Sequence, residues 1–154
     1  MIINDLTGPA LLPFDFSAYS IDVLQRSLKM IRDKSKIRLV HVAQLTTVQF
    51  YGHGWDTISD EKVREGVDMS FRKQVEQHPE NANLTIKTLL GDPGTQICEY
   101  AQQIEAEIIL MSSRGRTGLH KFLLGSVAER VMQKAPCPVL LIRNELETDQ
   151  TNSA

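Results

Sequence analysis

The chain is poor in cysteine. Cys98 and Cys137 are its only two, and they form no Cys-x-x-Cys pair. That pattern supplies neither a disulfide scaffold nor a dithiol redox centre, so reduced, buried thiols are expected. The four histidines, His41, His53, His78 and His120, have no metal-ligand spacing with one another or with the cysteines, and no metal cluster is expected. Charge of neither sign is in large excess. A formal net charge of -2 gives no electrostatic reason to expect nucleic acid as a partner. No apolar run reaches the roughly 18 residues of a membrane span, and the first residues lack a basic segment followed by an apolar one. A cytoplasmic protein with no membrane partner is the expectation. Familiar nucleotide and hydrolase signatures are missing as well. With no Gly-x-x-x-x-Gly-Lys-Ser/Thr, no Gly-x-Gly-x-x-Gly and no Gly-x-Ser-x-Gly, a Walker loop, a dinucleotide fingerprint and a nucleophile elbow are excluded.

What is present has the composition of one globular domain. The 154 residues, 42% hydrophobic and 23% charged, can bury one core and are too few for two ordinary domains. The domain is expected over 1–144, with a polar tail at 145–154 expected to be disordered; no internal repeat is visible. Residues 10–14 read as a short buried strand, with Ser17 placed to cap a helix on which Ile21, Leu24, Leu28 and Ile31 recur at helical spacing. That helix is expected to close near 33–36. Residues 37–43 are a second strand, apolar on both parities as in a sheet buried on both faces, and 44–57 read as a long loop. Val63, Val67, Phe71 and Val75 mark a second helix, capped by Ser59 or Asp60 and ending before His78. A third strand over 84–90, a turn at 91–94 and a third helix burying Ile97, Ala101 and Ile104 follow. A strand at 107–111, a helix at 127–134 and a strand at 138–142 complete the pattern.

Five strands alternating with four helices argue for a right-handed α/β fold: an open, doubly wound, five-stranded parallel sheet with helices on both faces. Alternation alone leaves the strand order open. In the order 3-2-1-4-5, the one expected here, the ligand crevice lies beyond the carboxyl ends of strands one and four, where the winding reverses. Pro13, Phe14 and Asp15 would flank it on one side and residues 112–115 on the other. Two stretches far apart in sequence would thus converge.

The second of these stretches, 112–126, has the makings of an anion site. It links a buried strand to a helix, two places where backbone N–H groups lie unpaired. Gly115, Gly118 and Gly125 remove the Cβ atoms that would keep a phosphate from those groups, the helix start adds positive partial charge, and Ser126 adds a hydroxyl donor. On spacing alone, plain turn glycines would look the same.

The stretch resembles the phosphate loop of the universal stress protein family, whose ATP-binding members carry Gly-x-x-Gly, nine residues, then Gly-Ser/Thr. In this chain the pattern falls on Ser112, Gly115, Gly125 and Ser126, with 116–124 as the nine-residue spacer. Ser112 stands where the motif has glycine. The resemblance extends over nearly the whole chain, through Leu12-Pro-Phe-Asp-Phe-Ser17, Leu39-Val-His-Val42 and Ala135-Pro-Cys-Pro-Val-Leu-Leu-Ile142. It implies an adenine nucleotide, ATP or ADP or AMP, with Mg2+ as an optional companion. Pro13 would border the site, Asp15 would lie by the ribose and phosphates, and Val42 would contact adenine. Met111 would border the base, while Gly115, Gly125, Ser126 and Val127 would hold the phosphates. Arg114 sits at a variable position of the motif and is placed at the phosphates by its charge alone. Each residue has a plainer reading: Asp15 as a helix cap, Val42 and Met111 as core, Arg114 as solvated loop surface.

The function expected is that of an ATP-binding regulator of the stress response, with nucleotide occupancy as its signal. Val139, Leu140, Leu141 and Ile142 would form an apolar edge strand through which a homodimer assembles. Enzymatic activity is not required, and with Asp15 the one acidic group expected in the site, any ATP hydrolysis should be slow. The alternative is a dimeric adaptor that binds no nucleotide; the downstream partner is not legible in either case. An adenylating enzyme on a similar sheet would want Ser-Gly-Gly-x-Asp-Ser after the first strand, which is absent. Ser112→Gly is expected to tighten ATP binding, whether the motif glycine serves a positive φ or makes room for the nucleotide, and ordinary extended geometry at Ser112 is the plainer alternative. If the motif glycine serves a positive φ, serine there carries strain of order 1–2 kcal/mol and Ser112→Gly would tighten binding. In ordinary extended geometry its hydroxyl would serve the loop, and glycine would weaken binding.

Overall fold

The apolar runs form five parallel strands, β1 (Ala10–Pro13), β2 (Ile37–Ala43), β3 (Thr85–Leu90), β4 (Ile108–Ser112) and β5 (Val139–Ile142), in one sheet of order β3-β2-β1-β4-β5. The structure is a computed structural model that describes Ile3 and residues 5–44, 60–77, 84–114 and 124–143. Four α-helices alternate with the strands: α1 (Ala18–Met30), α2 (Asp60–Glu76), α3 (Pro93–Gln103) and α4 (Ser126–Lys134). The expected order and alternation are therefore those observed. Of the expected features, the loop at 45–57, the cap at Ser59 and the tail at 145–154 lie outside the described residues.

Strand alternation divides the core into two layers. Ala10 and Leu12 of β1, Ile37 and Leu39 of β2 and Leu110 of β4 pack with Val23 and Leu24 of α1 and Phe71 and Val75 of α2. The alternate residues Leu11, Val40, Ile109 and Met111 pack with Ile97, Cys98 and Ala101 of α3 and Ala128 and Val131 of α4. Each fully buried side chain of this size contributes about 1.5–3 kcal/mol, so apolar residues on both parities specify a sheet covered on both faces. No helix among the described residues is long and apolar enough to cross a membrane.

The helix starts follow capping chemistry. Ser17 caps α1, its Oγ accepting the Ser20 N–H at 3.2 Å. Where a turn was expected at 91–94, Pro93 already begins α3, because Asp92 accepts the Thr95 N–H at 2.9 Å and Pro93 needs no partner for an N–H that it lacks. The Thr95 donors and the Arg130 guanidinium, 2.7 Å away, hold the Asp92 carboxyl below its ordinary range. That ion pair joins α3 to α4. Gly94 lets the helices meet, since a Cβ there would stand 2.5 Å from Arg130 Cδ. α1 closes at Met30, short of the expected 33–36, and Asp33 caps a separate 3-10 turn over Lys34–Lys36.

Candidate functional site

The winding reverses between β1 and β4, and the chain leaves both strands there through polar turns. After Pro13, Phe14 N–H still donates to Val40 O at 2.8 Å. Asp15 then begins a turn in which its Oδ1 accepts both the Ser17 N–H at 3.0 Å and the Ser17 hydroxyl at 2.5 Å. The cap of α1 is thus Ser17, and Asp15 braces that cap. Its Oδ2 has no partner among the described residues. Between them Phe16 adopts φ +64, the left-handed region, which costs a residue with Cβ of order 1–2 kcal/mol. Aromatic packing holds it there: the Phe16 ring lies 4.6 Å from the His41 ring, 5.3 Å from Phe71 and 5.4 Å from Phe14.

Val42 and Met111 lie on the opposite, α3–α4 side of the sheet, where Val42 is half-buried and Met111 is 6% exposed. By strand alternation Pro13 faces the same side. Since β2, β1 and β4 are adjacent, the three apolar residues form a floor at the carboxyl ends of the strands.

Ser112 ends β4, 8% exposed, in extended geometry with no positive φ. Its Oγ accepts the Arg114 N–H at 3.1 Å and so begins the turn out of the strand. The strain considered for a serine at this position is therefore absent. Gly125 N–H donates to Ser113 O at 2.9 Å, which pins the two ends of the 114–124 connection together beside β4. Gly125 is the N-cap of α4, at φ -64 and ψ 145, and makes no side-chain cap. The first helical bond is Glu129 N–H to Gly125 O, so the N–H groups of Ser126, Val127 and Ala128 have no partner within the helix. Aligned peptide dipoles add about half a positive charge at that end. An uncapped helix start with positive potential thus abuts the exit of β4.

Pro13, Asp15, Val42, Met111, Ser112, Arg114, Gly125, Ser126 and Val127 accordingly occupy the carboxyl end of the sheet around β1, β4 and the start of α4; Gly115 lies outside the described residues. Phe16, Ser17 and His41 also surround the Asp15 turn, and residue type alone does not mark them as site residues. The signal for Ser17 was present in its capping position, but those for Phe16 and His41 appear only once β1 and β2 are paired. Val139–Ile142 bonds only to β4 among the described strands, with Val139, Leu140 and Leu141 half-buried and Ile142 7% exposed.

Comparison with known proteins places this arrangement. The sequence model described as the universal stress protein family matches residues 8–143. A universal stress protein of Methanocaldococcus jannaschii, MJ0531, is 32% identical over 145 residues, covering 91% of this chain and 84% of its own. The solved structure of MJ0577, from the same organism, superposes with a TM-score of 0.69 at 24% identity, over 89% of this chain and 96% of that one. A universal stress protein from Archaeoglobus fulgidus, solved in complex with dAMP, matches with a TM-score of 0.54 at 20% identity, over 88% of this chain and 97% of that one.

Proposed function

The chain belongs to the universal stress protein family, and from that premise we propose that it binds an adenine nucleotide at the β1–β4 crevice and acts as a homodimeric regulator of the stress response, with occupancy of the site as its signal. One observation carries this reading. The Asp15 turn leaves β1, and the uncapped start of α4, held to the β4 exit by the Gly125 N–H bond to Ser113, lies at the end of the neighbouring strand, so both stand at the carboxyl ends of the two strands between which the sheet winding reverses. A carboxylate with one oxygen open among the described residues can accept hydrogen bonds from ribose hydroxyls, the three N–H groups of Ser126, Val127 and Ala128 can donate to phosphate, and the Pro13, Val42 and Met111 floor suits a purine face. Arg114 would add charge at the phosphates, and Gly115 would continue the cradle. The dAMP held by the Archaeoglobus relative supports the class of ligand. ATP, ADP and AMP all fit these chemistries, with Mg2+ as a companion of the triphosphate.

The homodimer would form through β5. Its apolar outer edge has backbone groups that a second copy can pair, and a two-fold axis would close the assembly. A second reading, a dimeric adaptor without nucleotide, draws on Ser112 in place of the motif glycine. Titration of ATP, ADP and AMP into the protein by calorimetry separates the two: saturable binding near one nucleotide per chain supports the first reading, and no heat with any of the three supports the second.

A further inference from the structure

β1 leaves the sheet in an unusual way. After Phe14 N–H bonds Val40 O, one further step of a parallel ladder would offer the Phe14 carbonyl a backbone N–H from β2. His41 Nδ1 stands 2.8 Å from that carbonyl instead. A carbonyl only accepts, so Nδ1 carries the proton and donates it. Phe14, the residue before Asp15, is thereby fixed through both its N–H and its C=O, and the chain is free to turn away. On the far side of Asp15, the left-handed Phe16 packs its ring 4.6 Å from the same imidazole, at an interplanar angle of 61°. Phe71 backs both rings, 5.3 Å from Phe16 and 5.9 Å from His41. One side chain on β2 therefore holds the residue before Asp15 and the residue after it.

We propose that His41 is a positioning residue, which sets the Asp15–Phe16–Ser17 turn and so aims the Asp15 carboxylate at the sugar of the bound nucleotide; this rests on the nucleotide-binding reading above. His41 need not touch the ligand. Its side chain lies on the α1–α2 face, whereas Val42 lies on the other. The hydrogen bond and the ring contact are separable by substitution. Asparagine places an amide N–H where Nδ1 stands, keeping the donor without the ring; phenylalanine keeps the ring without the donor.

The experiment compares the wild type, His41→Asn and His41→Phe in two measurements. The first is amide hydrogen exchange at Ser17 in the unliganded protein, where the N–H is held by Asp15 Oδ1. Exchange about fivefold faster in His41→Phe, and close to wild type in His41→Asn, is expected from loss of one hydrogen bond. The second is calorimetric affinity for ATP and for 2′,3′-dideoxy-ATP, which lacks the hydroxyls that Asp15 would receive. His41→Phe should lose about tenfold for ATP and little for the dideoxy analogue, with His41→Asn restoring the preference. A merely structural role would weaken both nucleotides alike, and that result would overturn the proposal. Unchanged Ser17 exchange in His41→Phe, or failure of His41→Asn to restore it, would overturn it too. A wild type that binds neither nucleotide would refute the proposed function instead, with Ser17 exchange still deciding what His41 does to the turn.

Discussion

Replacing Ser112 asks what the departure from the family loop does. Its Oγ accepts the Arg114 N–H at 3.1 Å, in a residue only 8% exposed, and so shapes the turn out of β4. Ser112→Ala removes that acceptor and leaves the strand geometry untouched. Loss of one such bond costs about 1 kcal/mol, or about fivefold in affinity if the turn must be re-formed on binding. Ser112→Gly adds the backbone freedom of glycine, up to about 1 kcal/mol more, for about thirtyfold in total. Because Ser112 is extended, with no positive φ to relieve, glycine gains nothing in return. Calorimetric titration with ATP at 25 °C, with thermal unfolding as the control for folding, should give the ranking wild type, then Ser112→Ala, then Ser112→Gly. Tighter binding by Ser112→Gly would refute the reasoning, since it would mean that the Cβ crowds the nucleotide and that this outweighs its part in the turn.

Gly125→Val should abolish ATP binding while the fold survives, because φ -64 is open to any residue and the added side chain would stand where the phosphates are proposed to approach the helix start; unchanged affinity with a normal melting profile would sink the phosphate assignment. Leu140→Lys places a charge in the outer strand and should shift the protein from dimer to monomer in analytical ultracentrifugation, whereas a wild type that sediments as a monomer at micromolar concentration would dismiss the dimer itself. Stability should fall in acid partly through Asp92. Its carboxyl is lowered in the folded chain by the Thr95 donors and by Arg130, so its contribution is complete above the unfolded value near 3.8 and is lost as pH drops through the folded one. Asp92→Asn should therefore melt lower than wild type at pH 6, with the gap closing toward pH 3; a gap that stays constant would contradict the linkage.

The sheet was legible because its strands bury both faces: Ile37, Leu39 and Val40 fill alternate layers, and that needs helices on both sides. Strand order was not written in the periodicity, which constrains each strand and says nothing of its neighbour. At Asp92-Pro93 the helix start was visible in principle, since aspartate before proline is a capping signal, but the flanking glycines read more strongly as a turn. Asp15 and the Gly125–Ser126 pair were marked by residue type and spacing. His41 could not be found that way. Its role depends on β2 lying beside the residue where β1 ends and on Phe16 adopting a left-handed φ, both set by tertiary packing. Ser112 looked like a defect in a motif, and its hydroxyl proves to bond the Arg114 N–H two residues along.

The central claim, that the crevice between β1 and β4 holds an adenine nucleotide, is tested most directly by mass spectrometry of what freshly purified protein releases on denaturation, followed by re-addition of ATP to the emptied chain. ATP, ADP or AMP released in near-equal ratio to protein, or taken up again to that ratio, is the expected result. A chain that releases no nucleotide and takes up none at millimolar ATP would contradict it.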